Sequence, residues 1–576
     1  MHTELTLDIE ALENYIEVKC GGKEVFFGFW SPKDIQVKIE SVPDNLQVEQ
    51  GKNWFALRNG AKLYNGILFP KIQIGEGPEL VVMRGYLGEE NIHSYSDPKK
   101  VRDYWRGNFQ RRHNGIFSAV SITDDGKKLN FISDIFGIGA LYYRQVGDVV
   151  FFSSASGLLT MCDDHPDYTS WVLNIILGFI PGNETLTKEI KLVEPASHTC
   201  FSEHGMSVKK WYGPDDFPDG SGLVDDAVLD KSHEYLSLSV ERCLNLHHGK
   251  NILPLSSGHD SRRIFGHLND SKFSFETCTL QISTATGEDL DLPYGERIAH
   301  DYNIDHTSIK LPKKQQWRSN DICRIFSMDA QSRVHTWSVP LFAHYANQAI
   351  TIYDGLGGDV FGFHGLVVNE VKDIKLPLSV PKHFSGEMIA TDQEVTAIIE
   401  NMKSKFKFGP NHGLLVFLHS VSRKITSLWS QQQTKPGQLV VYPYLDLDYV
   451  EFMLSYSYKE KVFERNQLKI MEKYWPKLAS YPSSREIPKD AVSLNHIYET
   501  NNRYSKKYLQ SNCSSKNNDK IDFGSFLSLR ARVILGLSRY YKKLDISSGW
   551  WIRPVIEYVF WWKNRPLIFK INSEKK

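Results

Sequence analysis

Hydrophobic and polar positions alternate with a period of two through the first third of the chain. In "GIFSAVSITDDGKKLNFISD", residues 115–134, two such runs flank Asp125-Gly126, a dipeptide suited to the positive φ angles of a tight hairpin turn. "ALYYRQVGDVVFFSS" repeats the arrangement around Gly147-Asp148. Short strands joined this way predict antiparallel sheets. From Trp211 to Gly222 the chain reads "WYGPDDFPDGSG", rich in Pro, Gly and Asp, which breaks regular structure and suits a linker. Beyond it the period changes. Leu236, Val240 and Leu244 share one helical face, and Ile252–Leu255 follows as a strand. Phe273–Leu280 reads as the next strand, Tyr294, Ile298 and Tyr302 as a second helical face, and "IDHTSIKL" as a third strand. That order predicts a parallel sheet covered by helices. Three units are expected: 1–215, 222–500 and a helical extension at 501–576, with Ser511–Lys520 as an exposed loop. Near the C-terminus, Arg553, Glu557, Lys563 and Arg565 interrupt the aromatic run "WWIRPVIEYVFWWKNRPLIF", so it is expected to be a packed helix and not a membrane span.

Composition narrows the class. A chain of 576 residues calls for two or more cores. Lys+Arg and Asp+Glu balance at 68 each, which argues against nucleic acid or an anionic membrane as the main partner. The seven cysteines include no CxxC, so neither a disulfide framework nor a zinc site is suggested, and His247, His248, His259 and His267 have no metal-ligand spacing. "MHTELTLDIE" lacks a basic segment followed by an apolar one. A cytoplasmic protein is expected.

The chemistry concentrates in "NILPLSSGHDSRRIFGHL", residues 251–268. A strand leading into a helix aims backbone N–H groups and the positive end of the helix dipole at one point, which suits phosphate oxygens. Ser256, Ser257, Gly258 and Ser261 are small enough to admit phosphate, and Asp260 makes sense beside it if it also holds Mg²⁺. The simpler alternative is a helix cap, with Asp260 or Ser261 capping the helix that carries Ile264, Phe265 and Leu268. Of Arg262 and Arg263 in its first turn, at least one is expected to point to solvent.

"LSSGHDS" resembles the PP-loop S-G-G-x-D-S of ATP pyrophosphatases in its asparagine synthetase version, with Ser257 where the family carries Gly. "DLDLPYGERIAHDYNIDH" is similar to the family's segment after the second strand. "YDGLGGDVFGFHG" resembles its G-E-G-x-D-E-[LIV]-F-G-G, and "YPYLDLDYVEFMLS" its P-F-L-D element. Upstream, Asp134, Gly137, Leu141 and Tyr142 match the D-x-x-G-x-x-x-L-Y of its amidotransferase domain. The resemblance implies an N-terminal nucleophile-type antiparallel sandwich followed by an adenine-nucleotide α-hydrolase-like parallel α/β synthetase domain. It implies ATP and Mg²⁺ as cofactors: Leu255, Ser256, Ser257, Gly258, Asp260, Ser261, Gly355 and Gly357 around the nucleotide, and Asp260 and Asp359 on the metal. A small-molecule or peptide carboxylate would attack the α-phosphate of ATP, and ammonia or an amine would attack the acyl-adenylate. The family's phosphate-facing lysine maps onto Lys469 in "QLKIMEK", with Lys461, Arg465 and Lys473 as neighbours. Met328, Asp329, Arg333, His335 and Trp337 fall where the family binds its acceptor.

Two departures stand out. The chain begins Met1-His2-Thr3, without the family's nucleophilic cysteine, and Cys20 in "VKCGGKEV" reads as a small buried hydrophobe. The first domain therefore resembles the degenerate ones of β-lactam synthetases and lasso-peptide cyclases. Leu356 stands where asparagine synthetases carry glutamate and β-lactam synthetases tyrosine, and leucine cannot take up a proton. A ring-forming enzyme of those two kinds and a non-catalytic nucleotide-binding scaffold remain as alternatives, and homodimeric assembly is left open.

Overall fold

The computed structural model describes residues 3–39, 42–60, 80–106, 112–123, 126–218, 220–271, 273–281, 291–310, 314–331, 338–358, 392–405, 427–457, 466–483 and 552–572. Among them, no helix is long and apolar enough to cross a membrane.

The first half holds two six-stranded sheets. One runs in the order Lys191–Leu192, Tyr142–Val146, Val149–Ser153, Phe26–Trp30, Trp54–Asn59, Leu46–Gln50. The other runs Gly205–Lys210, Ser197–Ser202, Lys128–Ser133, Phe117–Thr123, Leu80–Leu87, Ile92–His93. Every pairing within them is antiparallel. At the two glycine turns read from the sequence, Gly126 takes φ +80° and Gly147 φ +59°, conformations that cost a residue without Cβ little; Asp125 lies outside the described residues. The two-residue period sorts side chains between faces. Phe26, Trp30, Trp54 and Phe152 meet Leu80, Val120 and Phe131 between the sheets. Their neighbours Phe27, Phe29, Phe55 and Phe151 face the other way, toward the helix Tyr168–Leu177. Behind the second sheet, Met83, Phe117 and Ile132 pack on Trp105 of the helix Pro98–Trp105. The result is four layers: helix, sheet, sheet, helix.

Asp134 closes the turn between this half's strands. Its carboxylate accepts from the backbone N–H groups of Phe136 (2.9 Å), Ile138 (3.2 Å) and Gly139 (2.7 Å), while Gly137 takes φ +65°. The spacing of Asp134, Gly137, Leu141 and Tyr142 thus encodes a turn whose last two residues enter the core.

The second half is built on a five-stranded sheet, all parallel, whose strands we number β1 (Lys250–Pro254), β2 (Glu276–Leu280), β3 (His306–Ile309), β4 (Ile350–Tyr353) and β5 (Gln438–Val441). Around it lie α1 (Asp226–Leu244), α2 (His259–Asp270), α3 (Leu292–Asp301), α4 (Lys314–Ser327), α5 (Ser427–Gln433), α6 (Leu447–Leu454) and α7 (Asn466–Tyr474). The expected stripe Leu236, Val240, Leu244 on α1 is buried. Strand order is β3-β2-β1-β4-β5. The chain therefore builds outward from β1 to one side through β2 and β3, then reverses to the other side through β4 and β5.

The chain's end returns to its beginning. The described part of the terminal extension is a helix, α8 (Ile552–Lys563), and then a strand, Phe569–Asn572, which pairs antiparallel with Thr3–Leu7. Val555, Tyr558, Val559 and Trp561 of α8 are buried in the core of the first half, as expected for a packed helix. Glu557 on its other side pairs at 2.8 Å with Arg324 of α4, and Arg324 also reaches Asp321 at 2.9 Å, with Arg324 and Glu557 fully buried. Ser511–Lys520 lies outside the described residues.

Candidate active site

Where the strand order of a parallel sheet reverses, the loops leaving the two diverging strands separate and leave a crevice at their carboxyl ends. Here that point lies between β1 and β4. The loop after β1 is Leu255–Gly258, entering α2 at His259; the turn after β4 is Asp354–Gly358.

The two loops touch at Asp260. A Cβ on Gly358 would lie 2.5 Å from the Asp260 Cγ, and one on Gly355 3.6 Å from its Cβ, so the glycines allow this approach. Gly357 takes φ +92°, and a side chain there would strike Leu445. Asp260 itself is half-buried, and its Oδ1 accepts a 2.9 Å bond from the Gln467 side-chain amide. Its backbone carbonyl accepts from the Tyr444 hydroxyl at 3.0 Å. Asp260 is thus fixed at the helix N-terminus, its carboxylate by Gln467 and its main chain by Tyr444, with the glycine turn close against it.

Hydroxyls knit the loop internally. Ser256 Oγ and Ser261 Oγ lie 2.9 Å apart, and the Gly258 N–H donates to Ser256 Oγ at 3.1 Å. Leu255 is pinned to the sheet by its N–H on Cys278 O (2.8 Å) and by Thr279 Oγ1 on its own carbonyl (2.6 Å). Ser257 is fully buried, and both its N–H (2.9 Å) and its hydroxyl (2.7 Å) donate to Asp291 Oδ1, just before α3. Ser257 is absent from the positive-φ residues, so its backbone does not demand glycine, and the extra hydroxyl has a partner. Asp291 was not singled out from sequence. Its contact with Ser257 spans 34 positions, beyond the reach of a local pattern.

The expectation that Arg262 or Arg263 faces solvent is corrected: both are fully buried. Arg262 donates to Tyr481 O (2.7 Å) and Leu478 O (3.3 Å), tying α2 to the segment after α7. Arg263 lies 5.9 Å from the centre of the Tyr444 ring. A helix packed on several sides buries more of its circumference than one amphipathic stripe.

The strand ends carry four described aspartates. Asp291 serves Ser257, as above. Asp446, in the P-F-L-D-like element after β5, caps α6 and pairs with Arg242 of α1 (2.7 and 2.9 Å) and Asn114 of the first half (3.1 Å). Asp260 faces Gln467. Asp354, after β4, is half-buried; its Oδ1 accepts from the Leu356 N–H at 2.9 Å, and the Ser430 hydroxyl also bonds to it. Burial pushes Asp354 up to about 6.

Lys469 is exposed on α7, the helix that delivers Gln467. Lys473 pairs with Asp230 at 2.5 Å. Met328 and Asp329 are buried, the latter accepting from Tyr15 (2.5 Å) and Ser156 (3.0 Å) of the first half. Asp359, Arg333, His335, Trp337, Lys461 and Arg465 lie outside the described residues. Cys20 is fully buried, and burial pushes its thiol well above the usual range, as suits a packed apolar group. Among the described residues, no group of three His, Cys, Asp or Glu side chains is arranged to hold a metal by itself.

An oxygen-seeking cation still finds donors beside Asp260. The Gln467 side-chain oxygen is buried without a hydrogen-bond partner, next to the carboxylate that its own nitrogen touches. Carboxylate and amide oxygens suit Mg²⁺, which keeps its remaining positions for water and phosphate.

No family model matches the chain, and no curated protein matches it. Among solved structures it aligns with the glutamine phosphoribosylpyrophosphate (PRPP) amidotransferase from B. subtilis complexed with ADP and GMP. The identity is 10% over 54% of this chain and 88% of that one, with a TM-score of 0.24. It also aligns with a structure described as the allosteric regulatory enzyme of purine biosynthesis, at 8% identity over 55% and 90%, with a TM-score of 0.23.

Proposed function

We propose that this chain is an ATP- and Mg²⁺-dependent ligase that adenylates a carboxylate, releases pyrophosphate, and joins the acyl group to ammonia or an amine. What supports the reading is the meeting of the loop after β1 with the turn after β4 on Asp260, at the point where strand order reverses. There the first-turn amides of α2 point out of the helix toward the crevice and are suited to phosphate oxygens. Ser256, Ser257, Gly258 and Ser261 keep the approach narrow in bulk, and Gly355 and Gly357 do the same on the facing turn. Asp260, Asp359 and the Gln467 amide oxygen would hold Mg²⁺, which when bound would offset charge on the phosphate oxygens. Lys469, exposed on α7, is the cation assigned to the leaving pyrophosphate.

ATP–pyrophosphate exchange tests this. The full-length protein, given ATP, labelled pyrophosphate and the small-molecule fraction of a cell extract as the carboxylate source, is expected to exchange label into ATP. Absence of exchange overturns the reading.

A further inference from the structure

We propose that Asp291 is a positioning residue for the loop after β1: acting through Ser257, it fixes how that loop enters α2 and so sets the affinity for Mg²⁺·ATP. This rests on the ligase reading above. Between Ser256 and Asp260, Ser257 alone is fully buried, while the residues on either side of it are half-buried. A ligand at the loop therefore meets its neighbours, and Ser257 serves from behind.

Two neighbouring helices start here without the usual side-chain cap. Asp291 is the N-cap of α3, where an aspartate ordinarily accepts from the first-turn amides of its own helix, yet its side chain makes no such bond. Its Oδ1 is turned across to the loop after β1, accepting both the N–H (2.9 Å) and the hydroxyl (2.7 Å) of Ser257. The N-cap of α2 is Gly258, which has no side chain to cap with. The first-turn amides of α2 are thus left to other acceptors, phosphate among them. The two helix starts also lie close together. A Cβ on Gly295, one turn into α3, would collide with Thr279 Oγ1 and lie 3.3 Å from the Leu255 carbonyl at the base of the loop.

Two bonds to one oxygen fix more than a side chain. The Ser257 N–H belongs to the peptide whose carbonyl is Ser256 O, and that carbonyl accepts from Ser261 Oγ at 3.3 Å. Held at both ends, this peptide cannot turn without breaking a bond. The next peptide is tied to it, because the Gly258 N–H donates to Ser256 Oγ at 3.1 Å. Asp260 meets the turn after β4 only when α2 starts in this orientation. The glycine that the resembling family carries at position 257 would keep the N–H bond, lose the hydroxyl bond and widen the backbone's choice of φ. Ser257 and Asp291 therefore belong together, and restoring glycine should weaken the loop.

Calorimetry of Mg²⁺·ATP binding to the full-length protein tests this, with native, Asp291→Ala, Asp291→Asn, Ser257→Gly and the Asp291→Ala, Ser257→Gly double variant compared, and thermal midpoints taken without nucleotide. Asp291→Ala leaves the buried Ser257 donors without their acceptor, and affinity should fall about thirtyfold. Asp291→Asn keeps an oxygen in that place and should stay within about threefold of native, whereas Ser257→Gly should lose about tenfold. The double variant should bind no more weakly than Asp291→Ala alone, because the two residues act as one clamp. A role in stability alone would lower the thermal midpoint of Asp291→Ala and leave the affinity of the folded protein native, and that result overturns the proposal. So does a Ser257→Gly protein that binds ATP as well as native or better, or a double variant whose losses add. If the native protein binds no Mg²⁺·ATP, the ligase reading falls and this proposal with it.

Discussion

Ionisable side chains gather in two regions of this molecule, and they are held in opposite ways. At the seam between the halves, Tyr15, Cys20, Lys23 and Asp329 are buried. Their polar atoms are spent on structure: Tyr15 on Asp329 (2.5 Å) and Phe326 O (3.0 Å), and Lys23 Nζ on Ser327 O (2.6 Å). At the strand ends of the parallel sheet, Asp260 and Asp354 are half-buried; Asp260 accepts from the Gln467 amide and Asp354 from the Leu356 N–H. A buried group that has found its partner fixes geometry but is withdrawn from solution. Burial holds Lys23 down at about 8 and the Cys20 thiol well up, so each is kept closer to its neutral form. A half-exposed carboxylate beside a helix N-terminus keeps its charge available for a ligand.

The hardest blow to that contrast comes from Asp260. Asp260→Asn or Asp359→Asn should lower pyrophosphate exchange by at least about a thousandfold, because one anionic ligand of the metal is lost. The thermal midpoint should stay close to that of the native protein, since Asp260 is half-buried and asparagine keeps its shape and an oxygen that accepts from Gln467. Native exchange in either variant would make the strand ends no more functional than the seam.

The seam should answer in stability. Arg324→Ala leaves Glu557 and Asp321 buried without their cation, a loss of about 3–5 kcal/mol for a broken buried pair. Denaturant unfolding should show that loss, while exchange per folded molecule holds. A fall in exchange with unchanged stability would mean that α4 and α8 serve the site.

Much of this contrast was legible in sequence on one side only. Two-residue alternation, the turns at Gly126 and Gly147, and the helix–strand order after Gly222 are local patterns, and each produced its element. The loop after β1 was legible because its chemistry sits within a few adjacent residues. The contacts that complete the site are not local. Asp291 to Ser257, Gln467 to Asp260, and Glu557 to Arg324 join segments 34, 207 and 233 residues apart (557 − 324 for the last), and only the fold places them. Burial of both Arg262 and Arg263 was missed for the same reason: a helix's own periodicity does not reveal how many neighbours surround it.

Lys469 sharpens the comparison from the exposed side. It lies two positions beyond Gln467 on α7, in solvent, and a cation drawn onto the leaving pyrophosphate should matter to rate and little to folding. Lys469→Ala should lower adenylation about a hundredfold with ATP binding nearly unchanged, and Lys469→Arg should recover little of it. An Ala variant that loses only ATP affinity would move the role to a neighbouring residue.

Asp354 should leave a mark on stability. Its carboxyl is raised to about 6 in the folded protein from an ordinary value of 3.8. The folded state therefore holds the proton more tightly than the unfolded chain does. That contribution is full below about pH 4 and is lost as pH rises through 6, amounting to about 2–3 kcal/mol for the shift. Asp354→Asn should thus be the more stable protein at pH 7 relative to native, with the difference closing toward pH 4. A difference independent of pH would show that the ionised carboxylate is not strained by its surroundings.

The smallest effect should come from Cys20. Its sulfur is enclosed, Cys323 Sγ and Lys435 Nζ reach its carbonyl at 3.2 and 3.4 Å, and its thiol is kept protonated by burial. A thiol in that state packs like a small apolar group, so Cys20→Ala removes one buried atom and should cost about 1 kcal/mol. Exchange and AMP release should match the native protein. Alkylation by iodoacetamide, followed by peptide mass, should reach Cys20 only once denaturant opens the seam, whereas exposed Cys162 should react in the folded protein. If Cys20 reacts first, or if its replacement abolishes release of glutamate from glutamine, the seam is a second reactive region and the division between structural and chemical halves fails. If it stays silent, the seam is structural and the proposed chemistry stays at the ends of the parallel strands, around Asp260.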